Sequence, residues 1–257
     1  MKNIMFGICQ WNLPTKGYKG VYEIKKLGLE GMELDFTREL RWNMKKYRKA
    51  SKETGILFPT LGLNIFCQKS YTCPGSERFF ERTVAKALAC AVKLDVKTLQ
   101  IPAFFASDIV NDEALRMEAK NLKKACEMAE PFGINIGTEN SLDADQNQKL
   151  FQLVNHPLFR FYFDNQNLWR MKGKSCLDVL AVMKDQIIEA HAKDSRVING
   201  EAKWFPLGEG DAEFAPSMNF LKENNYSGWI HLENDYQLDP NYEEAIKKDL
   251  NTILQQT

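Results

Sequence analysis

The sequence has few histidines and no excess of charge of either sign. Its 257 residues include three histidines, and 34 Lys and Arg balance 34 Asp and Glu, so the formal net charge is zero. Proteins that grip nucleic acid or an anionic membrane carry basic surfaces or polybasic runs. No polybasic run is present. We therefore expect neither nucleic acid nor a membrane as a partner.

The cysteines form no recognisable framework, and long apolar runs are absent. Six cysteines are scattered without a CxxC pair, which argues against a zinc ribbon or a disulfide scaffold. The N-terminus lacks the long apolar region and cleavage site of a signal peptide, and no run reaches transmembrane length. These absences predict a reduced, soluble, cytoplasmic protein.

Short apolar segments alternate with longer amphipathic ones along the whole chain, which predicts strand–helix pairs. Eight pairs fit: strands over 3–11, 29–36, 56–66, 96–104, 134–140, 159–167, 186–194 and 228–235, with helices near 19–27, 39–54, 77–94, 111–131, 144–154, 175–184, 213–224 and 242–256. No linker divides residues 1–257. This rhythm favours an α/β fold, a single (β/α)8 TIM barrel, in one domain. The rival open sheet usually has fewer strands and a glycine-rich phosphate loop after the first, which is missing here.

Ionisable side chains gather where the predicted strands end. In a barrel of this kind the active site lies at the carboxyl ends of the strands. Side chains alternate between the two faces of a strand, and this alternation directs one residue from each of the last four strands into the barrel mouth. These residues are Glu139, Asp164, His191 and Glu233.

Three converging carboxylates repel one another unless a cation lies between them. Together with one imidazole they suit a single divalent ion, with Mn²⁺ the first choice and Mg²⁺, Co²⁺ or Zn²⁺ as alternatives. The alternative is that His191 is a structural core histidine, hydrogen-bonded to a neighbour and without a metal.

Other residues at strand ends have two readings each. Glu33 lines the site or plugs the mouth of the barrel. Lys193 contacts substrate or pairs with a ligand carboxylate. Trp11 and Phe66 form an apolar wall for a sugar or simply pack.

The order and spacing of six segments resemble the xylose isomerase-like barrel superfamily, in particular the sugar phosphate isomerase/epimerase group with its ketose 3-epimerases. The segments are "GMELDF", "GTEN", "FDNQN", "HAKDS", "PLGEGDAEF" and "WIHLEN". The resemblance implies that Glu139, Asp164, His191 and Glu233 bind the metal, and that Arg196 and Asp145 contact substrate. The strand-six motif of the group is often Asp-x-x-His, whereas this chain has Asn167, which can hydrogen-bond a hydroxyl but cannot act as an acid or base.

The resemblance implies a metal-dependent isomerase or epimerase of a small sugar or sugar derivative. Glu139 and Glu233 would exchange a carbon-bound proton through a cis-enediolate. Two alternatives stay open: a keto-polyol (inosose-type) dehydratase on the same fold, and a sugar-binding barrel without catalysis. The related apurinic-site endonucleases use several histidines and bind DNA, which this composition disfavours. The identity of the sugar, its phosphorylation and the oligomeric state are not determined by the sequence, although members of the group are often dimers or tetramers.

Overall fold

Eight parallel strands close into a barrel in the computed structural model, which describes residues 4–257. The strands are β1 (Met5–Cys9), β2 (Gly31–Asp35), β3 (Thr60–Gly62), β4 (Thr98–Ala103), β5 (Asn135–Asn140), β6 (Phe159–Asp164), β7 (Ile187–Ala192) and β10 (Trp229–Leu232), while β8 (Ser195–Ile198) and β9 (Glu201–Trp204) lie outside the barrel. Around the barrel the strand order is β1-β10-β7-β6-β5-β4-β3-β2. The TIM-barrel prediction is confirmed; the start of the first predicted strand, at position 3, lies outside the described residues.

Helices follow the strands and surround the barrel. They are α1 (Lys19–Lys26), α2 (Arg38–Thr54), α3 (Ile65–Gln68), α4 (Glu77–Leu94), α5 (Asp112–Ala129), α6 (Ala144–Val154), α7 (Asn167–Lys172), α8 (Cys176–Met183), α9 (Phe214–Glu223) and α10 (Tyr242–Gln256). Among residues 4–257, no helix is both long and apolar enough to cross a membrane.

The outward faces of the strands pack against the helices. On β6 the alternating phenylalanines Phe159 and Phe161 are buried, and their rings lie 4.3 and 6.5 Å from that of Phe151 on α6. Such aromatic contacts add to the free energy of burial. The strand alternation read from the sequence therefore separates the helix-facing residues from those that face the barrel interior.

The barrel interior is unusually polar. Below the mouth, Glu189 accepts hydrogen bonds from Thr60 Oγ1 and from His231 Nε2, the latter at 2.9 Å. Gly7 makes room for this histidine, because a Cβ atom there would lie only 2.4 Å from His231 Nδ1. His231 thus fills a layer beneath the mouth, two residues before Glu233.

Two segments differ from the predicted pattern. The third strand is confined to Thr60–Gly62, and the chain turns into the short helix α3 where strand was predicted. The predicted long loop after β7 contains an antiparallel hairpin, β8 (Ser195–Ile198) and β9 (Glu201–Trp204). Its turn is Asn199-Gly200, with φ of 54° and 82°, which is typical of a tight hairpin turn. The Asn-Gly dipeptide is the sequence signal for this hairpin.

Candidate metal centre and active site

Four side chains converge at the carboxyl end of the barrel. Glu139, Asp164 and His191 end β5, β6 and β7, and Glu233 follows β10; one ligand atom from each lies within 4.8 Å of the others. His191 Nδ1 is 3.1 Å from Glu233 Oε2, 3.3 Å from Glu139 Oε1 and 3.7 Å from Asp164 Oδ2. Three carboxylates thus surround one imidazole nitrogen.

The opposite nitrogen of His191 is held from below by Glu33. His191 Nε2 lies 2.8 Å from Glu33 Oε2, and this oxygen also accepts a hydrogen bond from Tyr162 Oη at 2.7 Å and a weak one from Cys9 Sγ at 3.6 Å. Glu33 and His191 are fully buried. Of the two readings of Glu33, the structure favours a residue that supports the site from beneath.

Lys193 adds an ammonium group to the cluster. Its Nζ lies 2.6 Å from Glu233 Oε2 and 2.8 Å from Asp164 Oδ2. Burial alone would lower the pKa of this lysine, but the carboxylates of Asp164 and Glu233 outweigh burial and raise it. Lys193 therefore stays charged and is a partner for two of the predicted ligands.

Each carboxylate has its own supporting hydrogen bonds. Asn167 Nδ2 donates to Glu139 Oε1 at 2.8 Å, and Gln100 Nε2 donates to Glu139 Oε2. Trp11 Nε1 donates to Glu233 Oε1 at 3.2 Å. Asp164 Oδ1 accepts from the backbone N–H groups of Gln166 and Asn167 at 2.8 and 2.6 Å, as α7 begins.

The acid strengths of the two glutamates differ. Burial raises the pKa of Glu139, although His191 opposes the shift. Burial would also raise the pKa of Glu233, but the positive charges of His191 and Lys193 outweigh it and lower the pKa. The same carboxylates hold the pKa of His191 well above its usual range despite the burial of the ring. In the metal-free cluster, His191 and Lys193 are therefore two positive charges that offset the negative charges of the carboxylates.

The donor set fits a divalent metal ion. Mn²⁺, Mg²⁺ and Zn²⁺ accept carboxylate oxygens and imidazole nitrogens at about 2.0–2.2 Å, and ligand atoms within 4.8 Å of each other allow one ion to reach all four. Asp164 Oδ2 is buried with no geometrically defined hydrogen bond, and its cationic partner is Lys193 Nζ at 2.8 Å, so a metal ion there would compete with the ammonium group. Metal ligation by these four residues stays a prediction.

A cavity of about 520 Å³ opens above the cluster. Glu139, Glu233, Lys193, Asn167 and Trp11, all predicted site residues, line it. A cavity of about 600 Å³ beside α10 contains none of the four predicted ligands, so the smaller one is the candidate active site. Its size suits a small sugar.

Three predicted substrate contacts do not reach this cavity. Phe66 is fully buried in α3, where it stacks on Phe80 at 5.2 Å, because β3 ends earlier than predicted. Arg196 is exposed on β8, with its guanidinium 4.8 Å from the ring of Phe205. Asp145 is exposed in the first turn of α6. The structure does not bring these three side chains to the cavity, and their contact with substrate stays a prediction.

Sequence reasoning also missed residues that support the cluster. Gln100 was overlooked because it lies within an apolar strand, yet a lone polar residue at an inward position is itself a signal. Cys9 and the hydroxyl of Tyr162 were not assigned a role, although both contact Glu33.

Curated proteins align in sequence with half of this chain or more. It is 25% identical over 239 residues to a 2-epi-5-epi-valiolone 7-phosphate 2-epimerase of Actinoplanes sp., which covers 86% of this chain and 87% of the relative. It is 25% identical over 155 residues to an inosose dehydratase of Clostridium perfringens, with 52% of each chain covered.

Solved structures share the fold. The D-allulose 3-epimerase of Methylomonas sp. superimposes with a TM-score of 0.78 at 16% identity, covering 100% of this chain and 99% of the other. The IOLI protein, solved with a bound zinc atom, gives a TM-score of 0.79 at 16% identity over 98% and 97% of the chains.

Residues 21–256 match the family described as the xylose isomerase-like TIM barrel. This match spans nearly the whole closed barrel, including all four converging side chains. The chain therefore belongs to the xylose isomerase-like TIM barrel family.

Proposed function

We propose that this protein is a divalent-metal-dependent isomerase or epimerase of a small sugar or sugar derivative. The observation that carries the proposal is the convergence of Glu139, Asp164 and Glu233 on His191 Nδ1 at the floor of a cavity. Resemblance to an epimerase over most of the chain, and the shared fold of a ketose epimerase, support it.

Glu139, Asp164, His191 and Glu233 would hold the ion. When bound, a divalent ion supplies Lewis-acid polarisation of a substrate carbonyl and of the adjacent hydroxyl. Mn²⁺ remains our first choice, and the zinc-bound neighbour makes Zn²⁺ the strongest rival.

Glu139 and Glu233 would be the acid and base. Both line the cavity and reach His191 Nδ1 from different strands, so a substrate carbon above the cluster lies between two carboxylates. One removes the carbon-bound proton and the other returns it, through a cis-enediolate form of the substrate. Asn167 and Gln100 orient Glu139, whereas Trp11 and Lys193 orient Glu233.

The test is solvent exchange of the carbon-bound proton. Purified protein with Mn²⁺ is screened against C3 to C6 ketoses and keto-inositols in D₂O by NMR. Exchange should occur in the wild type and vanish in Glu139→Gln and Glu233→Gln, while the exposed Glu243→Gln control keeps it. Metal content is measured for each variant, because loss of the ion would also abolish exchange. Full exchange in both variants would sink the proposal.

Dehydration of a keto-polyol is the second candidate, and Lys193 favours it. The buried ammonium faces the cavity and can stabilise the negative charge that develops on a departing hydroxyl group, and inosose dehydratases match half of the chain. NMR separates the two reactions, because a dehydratase releases water and an epimerase gives an isomer. A barrel that only binds sugar would bind its ligand without exchange or product, and it would need no stoichiometric metal.

A further inference from the structure

Two clefts rich in arginine and lysine lie beside the active-site cavity. The first, of about 400 Å³, is lined by Arg38, Arg41 and Lys86. The second, of about 490 Å³, is lined by Lys69, Arg78, Arg82 and again Lys86. Because Thr83 and Lys86 line both, the clefts form one surface, which we name the basic groove.

The basic groove adjoins the active-site cavity. Asp35, Asn64 and Gln68 line both the first cleft and the cavity that contains Glu139 and Glu233. Arg41 and Lys86 therefore lie one layer of side chains away from the cavity above the predicted metal site.

The charge in the groove is not neutralised by the chain. Arg78, Arg82 and Lys86 follow each other at four-residue intervals on α4, so like charges share one helix face, where they repel. Within residues 4–257, none of the six cations of the groove lies within 4.0 Å of a carboxylate oxygen. Asp35 is the one acid among the residues that line the two clefts.

Aromatic rings help to hold three of these side chains. The Arg38 guanidinium lies 4.0 Å from the ring of Trp42, and Lys69 Nζ lies 4.2 Å from that of Phe79. The Arg41 guanidinium lies 5.4 Å from the ring of Phe36. Such contacts restrain a long cationic side chain before a ligand arrives, so less conformational entropy is lost on binding.

We propose that the basic groove binds a phosphate group carried by the substrate in the cavity, with Arg38, Arg41 and Lys86 nearest to it. Arginine presents paired N–H donors to phosphate oxygens, and lysine adds a point charge. The sugar part of this inference rests on the proposed function, but the anion site does not. The zero net charge of the whole chain favours a small anion over nucleic acid.

The first test uses inorganic phosphate and the metal-free protein, so it needs no catalysis. Phosphate binding is titrated by ³¹P NMR in the wild type, in Arg41→Gln/Lys86→Gln, and in the control Arg48→Gln/Lys123→Gln, which removes the same charges from exposed positions outside the groove. We expect saturable binding that is weakened roughly tenfold in the groove variant alone. Circular dichroism confirms that both variants fold.

The second test compares D-fructose with D-fructose 6-phosphate as probes of binding. The phosphorylated probe should bind more tightly, and the groove variant should lose this advantage. Phosphate binding that persists in a protein without exchange activity would uphold this site while the proposed function fails. Equal phosphate affinity in the wild type and the groove variant, no phosphate binding, or a groove that binds duplex DNA but not phosphate would overturn the inference.

Discussion

Glu33 Oε2 lies 2.8 Å from His191 Nε2, while His191 Nδ1 faces Glu233 Oε2 at 3.1 Å. Glu33 thus accepts the Nε2 proton and leaves Nδ1 as the nitrogen that points at the predicted metal site. A carboxylate in this position fixes the tautomer and orientation of a metal-binding histidine and strengthens it as a ligand.

Replacing Glu33 with Gln should therefore weaken metal binding without removing a ligand. The amide can still accept a hydrogen bond from Nε2 but lacks the negative charge. We expect metal affinity to fall about 10- to 100-fold, measured by calorimetry, with ¹⁵N NMR reporting the tautomer of His191. Glu118→Gln is the matched control, since Glu118 is also fully buried but lies on α5 against Thr138. An unchanged affinity in Glu33→Gln would contradict this role.

Metal binding should release protons. The carboxylates around His191 raise its pKa well above the usual range, so the metal-free ring is protonated at neutral pH. A metal requires the neutral imidazole, so affinity should rise with pH until the raised pKa is passed. Calorimetry in buffers of different ionisation enthalpy measures the released proton. Heats that do not depend on the buffer would show that His191 is already neutral.

Lys193→Met should destabilise the metal-free protein and increase the stabilisation that a bound metal ion provides. The substitution removes the ammonium that lies between Asp164 and Glu233, leaving His191 as the one remaining cation beside these two carboxylates. Breaking a buried ion pair of this kind costs about 3 kcal/mol. Urea unfolding with and without Mn²⁺ checks both effects. We expect Mn²⁺ to raise the free energy of unfolding more in the variant than in the wild type. An equal increase in both would exclude competition between Lys193 and the ion.

Glu118 should make stability depend on pH. Burial, opposed by a hydrogen bond from Thr138 and by the nearby hydroxyl of Tyr71, raises the pKa of Glu118 from 4.5 to about 8. The folded state then holds a proton that the unfolded chain releases. Its contribution is complete below 4.5 and is lost as the pH rises to about 8. Subtracting the unfolding free energy of Glu118→Gln from that of the wild type should give a difference that falls over this range. A flat difference would mean that Glu118 is ionised in the fold.

The sequence alone predicts most of the barrel because its signals are local. Each strand alternates, and the alternation that directs Phe159 and Phe161 towards the helices also directs Asp164 inward. The same rule brings Glu139 and His191 to the mouth, because neighbouring parallel strands end at the same edge of the barrel.

The observed placement of side chains departs from the predicted one where the chain leaves a strand. Phe66 was assigned to the site by counting along a strand that stops at Gly62. Arg196 lies at the start of a hairpin, and its direction depends on pairing with Lys203 across the turn. Alternation does not extend through a turn, so side-chain direction beyond a strand end depends on tertiary contacts.

The β8–β9 hairpin is anchored at its base and exposed at its tip. Ser195 pairs with Trp204 at its base, and the returning chain is pinned where Asp194 accepts hydrogen bonds from the backbone N–H groups of Gly208, Gly210 and Ala212. Trp204 lies at the rim of the active-site cavity. A change at Trp204 would therefore alter the rim of the cavity, whereas a change at the tip, which does not line the cavity, would leave both the rim and the barrel in place. For evolution or for an engineer, the base of the hairpin is a position from which the cavity entrance can be altered without rebuilding the barrel.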